Sequence, residues 1–356
     1  MKQNHLMVMA GGTGGHVFPA LAVACALRDK GTTITWLGTR NGLEAKVIPD
    51  NQIDIEWISV EGLRGKGALS WLLAPFKLLR AMWQSAGVIR RLNPDCVLGM
   101  GGFVAGPGGI TARLLGTPLI IHEQNAVAGL TNKYLAKVAS RVLTGFPSVA
   151  DLPESAQWVG NPVRESIHAS AVVAGDASSN ALRVLVIGGS QGAHSFNQHL
   201  AGVFAKQQSS MEIWHQSGRG RSAAVSECYK QQGIEAKVTE FIDDMAAAYH
   251  WADLLICRAG AMTIAECCAA AKPALLIPFP FSAGDHQVRN AETMVNVGAA
   301  KMLANEQITQ PIMVETLSEL MADRDALVDM GKAAHGLHKA DALDSVMRAC
   351  EEYLYA

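Results

Sequence analysis

A chain of 356 residues exceeds what one hydrophobic core usually supports, so two domains of ordinary size are expected. Its formal net charge of −2 provides no excess of Lys and Arg, which argues against nucleic acid as a partner. The 7 scattered cysteines lack Cys-x-x-Cys spacing, which argues against a disulfide framework and against a zinc site. We therefore expect reduced thiols and neither a metal nor a cofactor.

Short apolar runs alternate with helical patterns, and the scheme restarts in the second half. Several runs are apolar throughout, which is typical of strands in a parallel sheet covered on both faces. The alternation predicts doubly wound α/β domains, followed by helix from about Ile312 onward. The predicted strands are residues 6–10, Thr33–Leu37, Cys96–Met100, Pro118–His122, Arg141–Thr144, Leu182–Ile187, Met211–Trp214, Lys237–Phe241, Leu254–Cys257 and Ala274–Pro278.

The apolar run at residues 6–10 is too short for the core of a signal peptide. No stretch approaches the roughly 20 apolar residues that a transmembrane helix needs. The sequence therefore predicts a cytoplasmic protein, which can still touch a membrane.

Two glycine-rich loops each join an apolar strand to a helix. Gly11–His16 leads into a helix expected to open around Pro19, and Gly188–Ala193 is its counterpart in the second half. Such glycines let the backbone approach an anion closely, and the helix N-terminus offers unpaired N–H groups. Neither loop matches the P-loop or a clean dinucleotide fingerprint, which argues against kinases and dehydrogenases. With a hydroxyl in each loop, at Thr13 and Ser190, the pair predicts two phosphate-bearing ligands.

The segment Cys257–Glu266 combines a strand end, a glycine turn and the first turns of a helix. The carboxylate of Glu266 can accept hydrogen bonds from both hydroxyls of a ribose. Alternatively, Thr263 and Glu266 form a Thr-x-x-Glu capping box without any ligand. The spacing of these residues alone does not favour ribose binding by Glu266 over a capping box.

Seven motifs together resemble the MurG family of glycosyltransferase family 28, bacterial enzymes that convert lipid I to lipid II in peptidoglycan synthesis. The resemblance covers nearly the whole chain, although Phe103 stands where the family often has a tyrosine, so that hydroxyl's hydrogen bond is lost. The motifs are Gly11–His16, Gly101–Gly109, His122–Asn125, Gly160–Arg164, Gly188–Ala193, Arg258–Glu266 and Asp285–Gln287.

The resemblance implies the GT-B architecture, in which two Rossmann-like doubly wound domains face each other across a cleft. The expected domains are an acceptor-side and membrane-facing domain over 1–163, a UDP-sugar domain over 164–340, and a helix over 341–356 that returns to the first domain. Small and polar residues over 169–181 predict a linker near the boundary.

The resemblance also implies an inverting transfer of N-acetylglucosamine from UDP-N-acetylglucosamine to the 4-hydroxyl of the muramoyl sugar of lipid I. It assigns Glu266 to the ribose, Ile242 and Arg164 to the uracil end, Ser190 to the diphosphate and Gln287 to the sugar hydroxyls. The first glycine loop would face the acceptor's diphosphate. The implied substrate-binding positions are Thr13, Gly14, Gly15, Asn125, Arg164, Ser190, Ile242, Ala261, Met262, Thr263, Ile264, Ala265, Glu266 and Gln287.

His16 is the candidate general base. It stands where the first loop becomes a helix, and the positive end of the helix dipole disfavours the imidazolium form. A neutral imidazole can take the proton of the attacking hydroxyl. Two alternatives stay open: His16 only binds phosphate or caps the helix, or the nearby carboxylate of Glu123 is the base. A helix N-terminus and Ser190 would stabilise the leaving diphosphate without a metal.

The stretch Trp71–Arg91 holds four Lys and Arg and no acid. Helical spacing links Phe76, Leu79 and Trp83, a combination typical of a helix at a membrane surface. The alternative is an amphipathic helix that packs on a sheet. Because the implied acceptor is lipid-linked, we expect peripheral attachment to the anionic, cytoplasmic face of the inner membrane, near other cell-wall synthesis proteins.

Two further functions remain as alternatives. A UDP-N-acetylglucosamine 2-epimerase shares the fold and the donor but needs no acceptor-side glycine loop. A non-catalytic nucleotide-sugar-binding membrane scaffold would have the same fold. The pair of glycine loops and the candidate base favour the transferase.

Overall fold

A computed structural model of the chain describes residues 4–60, 73–167, 181–189, 192–207 and 210–355. The chain divides into two compact units: Met1–Pro162 together with Asp341–Ala356 form unit 1, and Val163–Ala340 form unit 2. The predicted linker over 169–181 lies almost wholly outside the described residues.

Unit 1 is built on a seven-stranded, entirely parallel sheet in the order β3-β2-β1-β4-β5-β6-β7. Side chains of the central β1 are all buried, with Leu6 and Val8 in one core cluster and Met7 and Met9 in another. This alternation covers both faces of the sheet, as the continuous apolar run predicts. The strands are β1 His5–Ala10, β2 Thr33–Gly38, β3 Asp54–Trp57, β4 Cys96–Gly101, β5 Leu119–Glu123, β6 Arg141–Thr144 and β7 Gln157–Trp158.

The helices of unit 1 cover the two faces of this sheet. Val346, Met347, Cys350 and Leu354 of the C-terminal helix are buried in the same cluster as Leu6, so the chain's last helix is part of this unit's core. The described helices of unit 1 are α1 Gly14–Asp29, α2 Glu44–Asp50, α3 Ala74–Leu92, α4 Ala105–Leu114, α5 Leu130–Leu135 and the C-terminal helix Ala342–Leu354.

The helix after the first glycine loop begins earlier than expected. α1 begins at Gly14, so the prediction that it opens around Pro19 is wrong, and Pro19 lies buried inside the helix. Because proline has no N–H, the carbonyl of Gly15 lacks its intrahelical donor. The helix N-terminus therefore lies directly against the glycine loop.

Unit 2 repeats the scheme with six parallel strands in the order β10-β9-β8-β11-β12-β13. The strands are β8 Leu182–Ile187, β9 Met211–Gln216, β10 Lys237–Thr239, β11 Leu254–Cys257, β12 Ala274–Leu276 and β13 Ala300–Met302. The helices are α6 His194–Phe204, α7 Ser222–Gln231, α8 Met245–Trp251, α9 Ala261–Ala269, α10 His286–Asn296, α11 Pro311–Ala322 and α12 Arg324–Gly336, with 3-10 turns at Glu165–Ile167, Ala283–Asp285 and Asn305–Thr309.

Both sheets reverse their strand order at the first strand. β1 lies between β2 and β4, and β8 lies between β9 and β11. In open α/β sheets, ligands bind at the carboxyl ends of the strands at such a switch point. The predicted Rossmann-like, doubly wound fold of each unit is confirmed, and each unit carries one of the predicted glycine loops at its switch point.

Candidate functional site

In unit 1, two glycine loops meet at the switch point. One joins β1 to α1, and the other joins β4 to α4. Gly102 has a φ of +83°, and a Cβ added there would collide with the carbonyl oxygen of Gly11. Because only glycine permits this approach, the Gly11–His16 and Gly101–Gly109 motifs form one surface lined by backbone.

The N-terminus of α1 contributes polar backbone groups to this surface. Thr13 is the exposed N-cap residue, and its side chain makes no capping hydrogen bond. The first turn of α1 contains no acidic residue. First-turn N–H groups have no intrahelical acceptor and carry partial positive charge, so those of Gly14 and Gly15 suit an anion.

A buried carboxylate, Glu44, holds the first glycine loop. One of its oxygens accepts from the N–H of Gly12 at 3.0 Å, and the other accepts from the N–H and the hydroxyl of Thr39 at 3.1 and 2.8 Å. Hydrogen bonds to a charged group in a buried setting are strong, which fixes the loop against the sheet. No sequence motif marks Glu44, because its contact with Gly12 joins positions that are 32 residues apart.

His16 belongs to a chain of hydrogen bonds that defines its tautomer. His122 Nε2 donates to the carbonyl of Gly160 at 2.9 Å, and Gln124 Nε2 donates to the His122 carbonyl at 3.0 Å and lies 3.1 Å from His122 Nδ1. This orientation turns Gln124 Oε1 towards His16, whose Nδ1 donates to it at 2.7 Å. Burial lowers the pKa of His122, so its neutral Nδ1 can accept from Gln124. Among the described residues, His16 Nε2 has no hydrogen-bond partner and therefore presents a lone pair.

Glu123, the alternative base, is fully engaged in local structure. Its side chain is buried, with Oε1 accepting from the backbone and side chain of Asn125 at 3.0 and 3.1 Å. Oε2 accepts from Gly129 N and Asn132 Nδ2 at 3.0 and 2.9 Å. Four hydrogen bonds on a buried carboxylate indicate a scaffold for the loop that carries Asn125, rather than a group that meets substrate.

In unit 2, a cavity of about 510 Å³ lies at the carboxyl ends of β8 and β11. Ser190, predicted for the diphosphate, lies outside the described residues, but neighbouring glycines of its loop line the cavity. Gly192 has a φ of +66°, and a Cβ there would collide with the carbonyl oxygen of Ser217. Other lining residues are Gly188, Gly189, Ser195, Arg258, Thr263 and Gln287.

Arg258 ties together the walls of this cavity. Its guanidinium donates to the carbonyls of Ile277 and Pro278 at 2.9 and 3.2 Å, and to Ser195 Oγ and Asn305 Oδ1 at 2.9 and 3.0 Å. Burial lowers the pKa of Arg258 to about 10, which leaves the group charged at neutral pH. The cation therefore stands beside a glycine loop suited to phosphate. Its partners are far apart in sequence, which is why the motif alone did not reveal this role.

Helix α9 rules out one of the two interpretations of Glu266. The helix begins at Ala261 with Gly260 as its N-cap, so Thr263 lies inside it and the capping-box interpretation is wrong. Glu266 is partly buried, and its Oε2 accepts from the hydroxyl of Tyr249 at 3.0 Å. Burial raises the pKa of Glu266, whereas the Tyr249 hydroxyl and the charge of Arg164 oppose that rise.

The remaining predicted donor-site residues differ in how much of each side chain is available to a ligand. Gln287 lines the cavity, but its Oε1 already accepts from the N–H of Phe279 at 2.8 Å. Ile264 and Ile242 are buried, so a ligand would meet their backbone rather than their side chains. Met262 and Ala265 keep partial exposure along the first turns of α9.

Helix α3 presents an apolar surface outward. Phe76, Leu79 and Trp83 are 70, 62 and 78% exposed, while the opposite face of the helix packs in the core of unit 1, as the alternative of an amphipathic helix on a sheet expects. The buried positions of this helix are Ala81, Ser85, Val88 and Ile89. Within the described ranges, no helix is long and apolar enough to span a membrane, and no group of three or more His, Cys, Asp or Glu could hold a metal ion.

Comparison with known proteins places the chain in a family. Residues 6–144 match the glycosyltransferase family 28 N-terminal domain, and residues 183–346 match the family 28 C-terminal domain. A UDP-N-acetylglucosamine–N-acetylmuramyl-(pentapeptide) pyrophosphoryl-undecaprenol N-acetylglucosamine transferase from Alkalilimnicola ehrlichii is 49% identical, with 98% of each chain covered. Its namesake from Nitrosococcus oceani is 46% identical at the same coverage.

A solved structure supports the same assignment. The crystal structure of Acinetobacter baumannii MurG is 36% identical and superposes with a TM-score of 0.86, covering 98% of this chain and 99% of that one. The resemblance seen in the motifs and the predicted GT-B class of fold are thereby confirmed over almost the whole length. The chain belongs to glycosyltransferase family 28 and, within it, to the MurG family of N-acetylglucosamine transferases.

Proposed function

We propose that the enzyme transfers N-acetylglucosamine from UDP-N-acetylglucosamine to the 4-hydroxyl of the muramoyl sugar of undecaprenyl-diphospho-muramoylpentapeptide, converting lipid I to lipid II. The names of relatives at 46 and 49% identity describe this donor and this acceptor. The observation that carries the chemistry is the imidazole of His16, held by Gln124 beside the first glycine loop with Nε2 available.

In the proposed reaction, His16 Nε2 takes the proton of the 4-hydroxyl as its oxygen attacks the anomeric carbon. The new glycosidic bond forms on the face opposite UDP, the bond to the diphosphate oxygen breaks, and UDP leaves with that electron pair. The configuration at the anomeric carbon is therefore inverted. Charge that develops on UDP needs nearby positive groups, and the N-terminus of α9 and Arg258 supply them beside the unit 2 cavity.

The two glycine loops receive different diphosphates in this proposal. The loop of Gly188–Ala193 binds the diphosphate of UDP, because the cavity beside it also contains Arg258 and Thr263. The Gly11–His16 loop binds the lipid-linked diphosphate, because the free N–H groups of α1 lie next to the candidate base. Glu266 binds the ribose hydroxyls, and Gln287 binds sugar hydroxyls through its Nε2, since Oε1 is occupied.

Incubation with labelled UDP-N-acetylglucosamine, with and without lipid I, tests the function. We expect UDP release that depends on lipid I, with the label recovered in lipid II. A 2-epimer formed without lipid I would instead identify an epimerase. Binding of UDP-N-acetylglucosamine without any turnover would instead identify a non-catalytic scaffold. Either of those two results would contradict the transferase.

We further propose that α3 attaches the enzyme to the cytoplasmic face of the inner membrane. The helix places three large apolar side chains outside the core, and Lys77 and Arg80 are exposed among them. Apolar side chains of such a helix enter the headgroup region while Lys and Arg meet anionic lipid. Attachment here would bring the enzyme to the level of a lipid-linked diphosphate.

Serine replacement of Phe76 and Trp83 together tests this surface. We expect the double variant to bind phosphatidylglycerol-containing vesicles about tenfold or more weakly in sedimentation, because two largely exposed aromatic side chains are lost. Phe281→Ser is the matched control, since it removes an aromatic side chain that is 82% exposed in unit 2. Equal vesicle binding by the double variant and the wild type would show that a different surface meets the membrane.

A further inference from the structure

A buried tyrosine lies behind the carboxylate assigned to the ribose. Tyr249, in α8, is 1% exposed, and its hydroxyl donates to Oε2 of Glu266 at 3.0 Å. Burial and the neighbouring carboxylate raise the pKa of Tyr249 well above its ordinary value. The phenol therefore stays protonated throughout the physiological range and acts as a fixed donor to Glu266.

The helix that carries Tyr249 also lies near the two positions assigned to the uracil end, Ile242 and Arg164. Ile242 lies just before α8, whose N-cap Asp244 accepts from Ala247 N at 2.9 Å. α8 packs against the 3-10 turn Glu165–Ile167, which directly follows Arg164. The charge of Arg164 acts on the same carboxylate, so positions expected at uracil and at ribose both lie near this short helix.

The hydrogen bond constrains both the orientation and the chemistry of Glu266. With Oε2 facing Tyr249, the carboxylate has a defined rotation, and Oε1 is directed away from the phenol. A carboxylate accepts at both oxygens only while it is ionised, and a protonated carboxyl loses acceptor capacity. Burial disfavours the ionised form of Glu266, whereas the hydrogen bond from Tyr249 favours it. The phenol thus favours the form of Glu266 that ribose hydroxyls recognise.

We propose that Tyr249 is the positioning residue that gives the nucleotide site its preference for a ribose. It orients Glu266 and keeps it an acceptor for the sugar's hydroxyls, so its effect reaches the ligand only through those hydroxyls. The inference rests on the proposed function, in which Glu266 binds the ribose of UDP. No sequence motif marks this residue, because its partner lies 17 positions away on another helix.

The test compares UDP with 2′,3′-dideoxy-UDP in calorimetric titrations of the full-length wild type and Tyr249→Phe. We expect the variant to bind UDP about tenfold more weakly, as for loss of a hydrogen bond to a charged group. Binding of the dideoxy ligand should change less than about twofold, because it lacks the hydroxyls that Glu266 recognises.

Tyr229→Phe is the matched control. Tyr229 is likewise buried in unit 2, and its hydroxyl hydrogen-bonds His215 Nδ1 at 2.9 Å, without any link to Glu266. It should leave the affinity for both ligands unchanged. If Tyr249→Phe lost the same affinity for UDP as for the dideoxy ligand, or lost none for either, the proposed role of Tyr249 would be overturned. The assignment of Glu266 to the ribose would not be affected by that result.

Glu266→Ala separates this inference from the proposed function. We expect it to abolish the preference for UDP over the dideoxy ligand and to make a second change at Tyr249 silent. If Glu266→Ala retains the full preference, the ribose lies elsewhere and the inference is overturned together with the donor-site assignment. If the wild type binds no UDP at all, the proposed function itself is contradicted.

Discussion

His16→Ala is expected to lower kcat by roughly a hundred- to ten-thousand-fold, the range for removal of a general base. The affinity for UDP should change less than about twofold, because the nucleotide is assigned to unit 2. The loss follows from the geometry, in which Nδ1 is bound to Gln124 and Nε2 alone can take a proton. Steady-state kinetics with lipid I and calorimetric titration with UDP measure the two quantities.

His250→Ala is the control for this prediction, because His250 is an exposed histidine at the end of α8. It should leave kcat unchanged. Near-normal turnover in His16→Ala would remove His16 from the chemistry and leave it a role in binding phosphate. A raised KM for lipid I at unchanged kcat would point to the same correction.

Gln124→Leu should lower kcat about ten- to a hundredfold, since the ring of His16 would lose the acceptor that defines its tautomer. Leucine has similar size but accepts no hydrogen bond, so either ring nitrogen can carry the proton. Gln124→Glu restores an acceptor for Nδ1 and should recover part of kcat. Its carboxylate also stabilises the imidazolium, so the acidic limb of the pH–rate profile should move to higher pH.

The coupling between the two residues is measured by the double variant. His16→Ala combined with Gln124→Leu should be no slower than His16→Ala alone, because Gln124 acts only through His16. Additive losses would show that Gln124 acts on substrate directly. Gln124→Leu and Gln124→Glu profiles of identical shape would show that its role is only to support the fold.

The sequence predicted every central strand of the two sheets but missed three of the four edge strands. β1 and β8 are buried apolar runs, and their predicted positions are confirmed. The three strands that were missed, Asp54–Trp57, Gln157–Trp158 and Ala300–Met302, are all sheet edges of two to four residues. Edge strands bury fewer side chains, so they lack the continuous apolar pattern by which a parallel strand is recognised.

Helix α3 shows a second limit of prediction from hydrophobic periodicity. Its sequence indicates an amphipathic helix but does not say which neighbour covers which face. The structure buries the small positions Ala81 and Ser85 and leaves Phe76 and Trp83 outside. That choice depends on the space available against α4, which only the packed fold defines.

By itself, the sequence determined the paired glycine loops, the parallel sheets that carry them and the family to which the chain belongs. These features are local, because a strand, a turn and a helix N-terminus are specified by adjacent residues. Only the tertiary structure revealed Glu44 on Gly12, Gln124 on His16 and Tyr249 on Glu266, which join positions 32, 108 and 17 residues apart. A hydrogen bond between distant positions leaves no spacing pattern, since the fold that brings its partners together is the product of the whole core.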